Sequence, residues 1–293
     1  MSLKTGGKIF EALDKEKYEV YNYDPKFDLE KLIEDIFKKK IDLVFPALHG
    51  PFGEDGKLQG MLDVLGVPYV FSGCLASALA MNKHKAKIVA FSSGVNISED
   101  ILLEREDEIN YDEIIEKIGF PVVIKPIELG SSVGMAIVNN KEELISGIEN
   151  AFSFGGKIIL EKFVKGRELT VAVVEDGKAR ALPVIEIIPK KSKWFDYQAK
   201  YEAGATDEIC PAKIPKEIEK KVQELAVKVF KTIGCEDLAR ADFIWDEKEN
   251  RIYFLEINTI PGMTATSLAP QAAKADGMEF PVFLDKLIAN NLK

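Results

Sequence analysis

The chain reads as an α+β / α/β protein, with a first domain built on a parallel sheet and two further lobes built on antiparallel sheets. Three observations predict this. Residues 1–80 alternate helical and short apolar strand-like stretches. Beyond about residue 85, strand-like runs follow one another with turn signals between them. A long amphipathic helix pattern then returns near residue 218 and is followed by two charged-and-apolar strands.

In the first part, Leu29, Leu32, Ile33, Ile36 and Phe37 keep helical spacing, and residues 41–45 (IDLVF) follow as a short buried strand. Residues 57–65 read as a second short helix and 67–70 (VPYV) as a second strand. That order makes a βαβ unit, hence a parallel sheet with ligands near its strand C-termini. The intervening loop, HGPFGEDG at 49–56, is too rich in glycine and polar groups to serve as packing material. In the second part, strands are predicted at 120–126, 157–161 and 168–174, and Asp176-Gly177 is a hairpin turn leading into a strand at 178–188. Residues 189–210, mixed and aromatic, read as a long mobile loop. Ile218, Val222, Leu225, Ala226, Val229, Phe230 and Ile233 then mark a helix, with Pro215 near its start and Gly234 just past its end. The resulting division is 1–80, 81–164 and 165–293.

Composition narrows the function classes. Apolar residues make up 46% and charged residues 30%, as in an ordinary globular enzyme. No apolar run approaches the roughly 18 residues a membrane span needs, and the first residues carry no apolar signal region. Three cysteines without CxxC spacing speak against zinc and against a disulfide framework, and fit a reducing cytoplasm. A net charge of −9 speaks against a nucleic-acid surface.

The strongest chemical signal is the pair RADFIW (240–245) and RIYFLEIN (251–258), separated by charged residues and so read as a hairpin. With the loop centred near 249, Asp242 faces Glu256 and Arg240 faces Asn258, all four on one face. Two carboxylates directly opposite repel, and a divalent cation held by Asp242, Glu256 and the Asn258 carbonyl removes that repulsion. A solvated charged face is the alternative. The next run, NTIPGMTATSL (258–268), offers free backbone N–H groups and hydroxyls suited to an oxyanion or carboxylate, or forms a purely structural turn. Lys125, at a strand end before a Gly-Ser-Ser loop, has the general form of a phosphate cradle. Glu161 and Glu168 flank a strand–loop–strand joint that presents backbone edges to adenine and a carboxylate to ribose. His49, at a strand C-terminus, is either an orienting base or a hydrogen-bonded loop histidine. His84, between lysines, reads as solvated.

Taken together, ALHGPFGEDGKLQG (47–60), IKPIELGSSVG (124–134), EKFVKGRELTV (161–171), WFDYQAKY (194–201) and FLEINTIPGMTATSLAPQA (254–272) resemble D-alanine–D-alanine ligases, in family order and over essentially the whole chain. The resemblance implies an ATP-grasp fold and a cytoplasmic homodimer that joins two D-alanines with ATP and two Mg²⁺ (or Mn²⁺) ions. By resemblance, Lys83 and Lys125 contact ATP phosphates, while Glu161, Lys162, Phe163 and Val164 line adenine. Glu168 takes the ribose hydroxyls, and Asp242, Glu256 and Asn258 hold the metals. Arg240 and the Gly262 N–H stabilise the tetrahedral intermediate. Ser131 and Tyr201 position substrate, Lys200 reaches the transferred phosphate, and Ser267 and Leu268 meet the second D-alanine. Two departures from the family pattern stand out. Asn82 replaces a frequent aspartate before Lys83, and the resemblance implies a strand, a Gly-Gly turn and a glutamate upstream of Met1. The competing readings are a D-lactate- or D-serine-accepting ligase and a non-catalytic ATP-binding protein.

Overall fold

The computed structural model describes residues 2–130, 133–190 and 206–292. Its first segment holds α1 (Ser2–Ala12), α2 (Pro25–Phe37), α3 (Lys57–Leu65), α4 (Cys74–Met81) and α5 (Lys83–Ser92). Then come β1 (Asp100–Glu104), α6 (Tyr111–Ile118), β2 (Val122–Pro126), β3 (Ala136–Val138), α7 (Lys141–Phe152) and β4 (Lys157–Lys162). The remainder is β5 (Arg167–Asp176), β6 (Lys178–Ala181), β7 (Ile185–Pro189), β8 (Thr206–Ile209), α8 (Lys216–Ile233), β9 (Leu238–Asp246), β10 (Arg251–Asn258), α9 (Leu268–Ala275) and α10 (Phe280–Asn291). Among the described residues no helix is long and apolar enough to cross a membrane.

Two antiparallel sheets organise the chain. A four-stranded sheet has the order β1-β4-β2-β3, and a six-stranded sheet the order β10-β9-β5-β7-β8 with β6 also paired to β5. The four-stranded sheet packs Val122, Ile124, Ile158 and Leu160 against Ile114 and Ile118 of α6 and Leu144 and Ile148 of α7. Asparagines start both helices, Asn110 and Asn140, each accepting from the N–H of the glutamate three residues on. The larger sheet buries one face, through Leu169, Val171, Ala241, Phe243 and Phe254, under α4, α5 and α8. Its opposite face is divided: Ala172, Val174 and Leu238 lie under α9, α10 and α1, and the rest looks into a cleft. The α8 helix follows the sequence reading, with Pro215 at its N-cap and Gly234 closing it in the left-handed conformation.

The parallel sheet expected for the first domain is much reduced. Residues 41–45 and 67–70 meet at a single parallel bridge, Val44 to Tyr69, made by Val44 N–H to Pro68 O and Val70 N–H to Val44 O. A lone parallel pair holds few hydrogen bonds and needs cover on both faces to extend. Here the stability comes instead from packing: Leu32 and Ile36 of α2 close on Leu62 of α3 and Val67, and Phe45 meets Phe71 edge-on. Two further expectations change. The strand predicted over 178–188 divides into β6 and β7, which occupy successive stretches of the same edge of β5. The loop predicted over 189–210 ends early, because Thr206 to Ile209 pair with β7 as a charged edge strand.

Asp237 pins three parts of the molecule together. It adopts φ 54° at the entrance to β9, and its Oδ2 accepts from the Phe71 N–H at 2.8 Å and the Asn291 side chain at 2.7 Å. Burial pushes its carboxyl up to about 6, outweighing the two hydrogen bonds. Raised above its unfolded value, this group favours the fold fully below about pH 4, and that contribution is lost as pH rises through about 6. Asp237→Asn keeps an acceptor for both donors and removes the buried charge. Thermal melts should therefore show the variant a few degrees more stable than wild type at pH 7.5, with the gap closing by pH 5. A difference independent of pH would show that the carboxylate charge is not what burial opposes.

Candidate functional site

The cleft lies between the two sheets and is lined by Lys83, Val123, Lys125, Met135, Ile137, Glu161, Lys162, Phe163, Val164, Glu168, Asp242, Ile244, Leu255 and Glu256, among others. Its chemistry comes from strand alternation. In the smaller sheet Val122, Ile124 and Leu160 face the core, so Val123, Lys125 and Glu161 face the cleft. Asp100 and Glu161 are direct partners in the β1–β4 ladder.

In the larger sheet, Glu168, Thr170, Arg240, Asp242 and Ile244 alternate with core residues on β5 and β9 and share one face. The register of β9 and β10 pairs Asp242 with Glu256 and Arg240 with Asn258. A β-bulge between Phe254 and Glu256 makes this possible. Phe254 and Ile252 point into the core, and strict alternation would have sent Glu256 the same way. The extra residue, Leu255, turns Glu256 to the cleft and returns Ile257 to the core.

These opposed carboxylates are neutralised by protein cations. Arg240 grips Asp242 with two hydrogen bonds, Nε to Oδ1 at 3.0 Å and a terminal nitrogen to Oδ2 at 2.9 Å, and the Thr170 hydroxyl donates to Asp242 Oδ1. Burial works against the Arg240 charge, but Asp242 first, with Glu256 and Glu54 behind it, raises its pKa above the usual value. Lys83 lies 3.3 Å from Glu256 and donates to the Leu129 carbonyl at 2.7 Å. Lys125 sits 3.1 Å from Glu161; burial opposes its charge, and Glu161, with Glu256 and Glu168, more than compensates and raises its pKa. Burial likewise pushes the Glu161 carboxyl up, yet Lys125 and Lys87 together hold it down at about 2.

The structure places the remaining residues singled out in the sequence as follows. Glu161 lines the cleft and holds its carboxylate in an ion cluster, 2% exposed. Lys162 pairs with Glu99 at 3.4 Å, and Phe163 and Val164 line the cleft. His84 is not solvated: its Nδ1 is 3.4 Å from Asp100 and its side chain is mostly buried. His49 sits between the Thr5 hydroxyl, 3.0 Å from Nε2, and Glu54, 4.0 Å from Nδ1. Asn258 Oδ1 accepts from the Ile260 N–H at 2.9 Å. Ser267 Oγ accepts from the Thr264 N–H at 3.1 Å, and a side chain at Gly262 would press on Ser267 at 3.0 Å. Leu268 is half-buried against the core under α9. Ser131, Lys200 and Tyr201, with most of the predicted 189–210 loop, lie outside the described residues. Sequence reasoning missed Lys87, Asp100, Thr170 and Glu54. Each but Asp100 left a signal: Glu54 and Thr170 lie within HGPFGEDG and EKFVKGRELTV, and Lys87 is one helical turn beyond Lys83 on the same face.

Comparison with known proteins adds to this geometry. Residues 22–74 match the family model described as D-ala D-ala ligase N-terminus, and residues 90–289 match D-ala D-ala ligase C-terminus. The chain is 44% identical over 289 residues to the D-alanine–D-alanine ligase of Syntrophobacter fumaroxidans, covering 98% of this chain and 92% of that one. It is similar to the crystal structure of the Bacillus anthracis D-alanine–D-alanine ligase complexed with ATP, with TM-score 0.84, 34% identity, and 99% and 92% of the two chains covered. The VanG D-Ala:D-Ser ligase of Enterococcus faecalis is similar at TM-score 0.83 and 32% identity, with coverage of 98% and 94%.

The ion cluster around Glu161 has a measurable cost of disruption. Glu161→Gln leaves the buried lysines without their shared counter-charge, which should lower stability at pH 7 by about 3–5 kcal/mol. Urea unfolding of the nucleotide-free protein measures it, and a loss below about 1 kcal/mol, typical of surface pairs, would contradict the assignment.

Proposed function

The chain belongs to the D-alanine–D-alanine ligase family, and from that premise we propose how it joins two D-alanines at the expense of ATP to make the dipeptide of peptidoglycan precursors. Its two facing antiparallel sheets are the ATP-grasp fold. The observation that carries the site assignment is the cleft face itself. Lys83, Lys125, Lys162 and Arg240 stand there beside Glu161, Glu168, Asp242 and Glu256, so each cation is already matched by a carboxylate. A polyanionic nucleotide enters such a site only with added positive charge.

Asp242, Glu256 and Asn258 present an all-oxygen donor set on one sheet face, which fits a hard divalent cation that completes its shell with substrate oxygens. Among the described residues no group of three or more His, Cys, Asp or Glu side chains is placed to hold a metal. Two Mg²⁺ or Mn²⁺ ions held there supply charge neutralisation at the phosphates. Lys83 and Lys125 bind the phosphates, Lys162, Phe163 and Val164 border the adenine, and Glu168 takes the ribose. The carboxylate of the first D-alanine attacks the γ-phosphorus and displaces ADP, giving an acyl phosphate. The amine of the second D-alanine then attacks that carbonyl and expels phosphate. Arg240 and the Gly262 N–H offset the charge of the tetrahedral oxyanion. Ser267 and Leu268 hold the acceptor, and His49, steadied by Thr5 and Glu54, orients substrate. Ser131 and Tyr201 position the donor side, and Lys200 meets the transferred phosphate. We place the enzyme in the cytoplasm as a homodimer.

The test is phosphate release from MgATP plus D-alanine, with L-alanine as control and D-serine and D-lactate as alternative acceptors. D-alanine should be used as both donor and acceptor, and chelation of divalent metal should stop turnover. Glu256→Gln removes an anionic ligand while the fold keeps its shape. It should lose more than about 99% of activity, an electrostatic loss on the order of 3 kcal/mol, with little change in nucleotide-free Tm. Near-normal turnover by that variant would sink the metal assignment.

A further inference from the structure

Among the described residues Lys87 is the one lysine with a fully buried side chain, at 0% exposure. It does not line the cleft. A lysine so deep in a protein needs partners for its charge, and Lys87 has a complete set. Its ammonium lies 3.1 Å from Asp100 Oδ2 and 3.3 Å from Glu161 Oε1. It donates to the Ser98 hydroxyl at 2.9 Å and faces the Ser98 carbonyl at 3.3 Å, and that hydroxyl lies 3.3 Å from Glu161 Oε2.

Two facts give this arrangement a consequence in the cleft. Asp100 and Glu161 are direct ladder partners, so without a cation between them two carboxylates would be held together in a buried place. Glu161 uses its other oxygen, Oε2, to hold Lys125 at 3.1 Å. The charges therefore alternate: Asp100, Lys87, Glu161, Lys125. Lys87 reaches this chain from α5, whose Ala86 and Ala90 are packed into the core of the larger sheet. Removing its charge leaves Lys125 as the close lysine of Glu161 while Asp100 keeps the His84 ring at 3.4 Å, and the undercompensated Glu161 draws Lys125 back from the cleft.

Resting on the nucleotide reading above, we propose that Lys87 is a positioning residue for nucleotide binding: it neutralises the Asp100–Glu161 pair and so leaves the Lys125 ammonium presented to the phosphates. The role belongs to its charge. Charge balance can therefore be restored by deleting the other member of the pair, whereas lost packing cannot.

The experiment titrates the full-length protein with Mg²⁺ and a non-hydrolysable ATP analogue by calorimetry, alongside steady-state kinetics and nucleotide-free Tm. Lys87→Met keeps an unbranched chain of similar length. It should weaken analogue binding about ten- to hundred-fold, as expected for losing a charge-assisted contact, and raise the KM for ATP while that for D-alanine stays near wild type. Adding Asp100→Asn to Lys87→Met should bring the analogue Kd most of the way back. A Lys87→Met protein that melts lower yet binds the analogue like wild type overturns the proposal, as does a folded double variant that remains weak. Should the single variant fail to fold, the double variant decides by the same criterion. A wild-type protein that binds no analogue would instead overturn the nucleotide reading, and this inference with it.

Discussion

Both sheets place two carboxylates directly opposite each other, Asp100 with Glu161 and Asp242 with Glu256, and the architecture depends on neutralising them. At about 5 Å and an effective dielectric near 20, each pair costs about 3 kcal/mol. One helix answers both costs. Lys83 and Lys87, a turn apart on α5, reach Glu256 in one sheet and Glu161 with Asp100 in the other. Arg240 and Lys125 complete the balance from within each sheet. Because α5 is itself packed against the larger sheet, Lys83 and Lys87 tie the lobes together across the cleft.

This arrangement also prepares the site for its proposed chemistry. In the proposed reading the cations that hold the carboxylates are the groups that would meet a triphosphate, and their positions are set before any ligand arrives. Preorganised charge of this kind needs no rearrangement during reaction. The position of Glu256 depends on a single inserted residue. The bulge at Leu255 gives β10 a core face on one side of the break and a site face on the other, a device that strands use where a side chain must be re-aimed.

Much of this was legible in the residues. The hairpin of β9 and β10 and its facing Asp242 and Glu256 followed from alternation. The reading placed the turn one half-residue from where it lies, and the bulge restores the predicted pairing at the functional end. The helix from 216 to 233 followed from its stripe and its Pro and Gly ends. Helices α6 and α7 went unread although Asn110 and Asn140, each with a glutamate three residues on, are recognisable starts. The expected strands at 41–45 and 67–70 shrank to one bridge, because short apolar runs say that a segment is buried and leave its pairing open.

By itself, then, the sequence determined the two antiparallel sheets, the order of motifs and the residue types that bring ATP-dependent ligation to mind, since periodicity, turn chemistry and motif spacing are local properties of a chain. What only the tertiary structure decided is which charges meet. Lys87 and Glu161 are 74 positions apart, Lys125 and Glu161 36, and Thr5 and His49 44. No local pattern marks a lysine as buried or a carboxylate as paired. Burial and electrostatic pairing arise from surfaces brought together by folding, so the counter-ion network behind the cleft appears only once both sheets and α5 are in place.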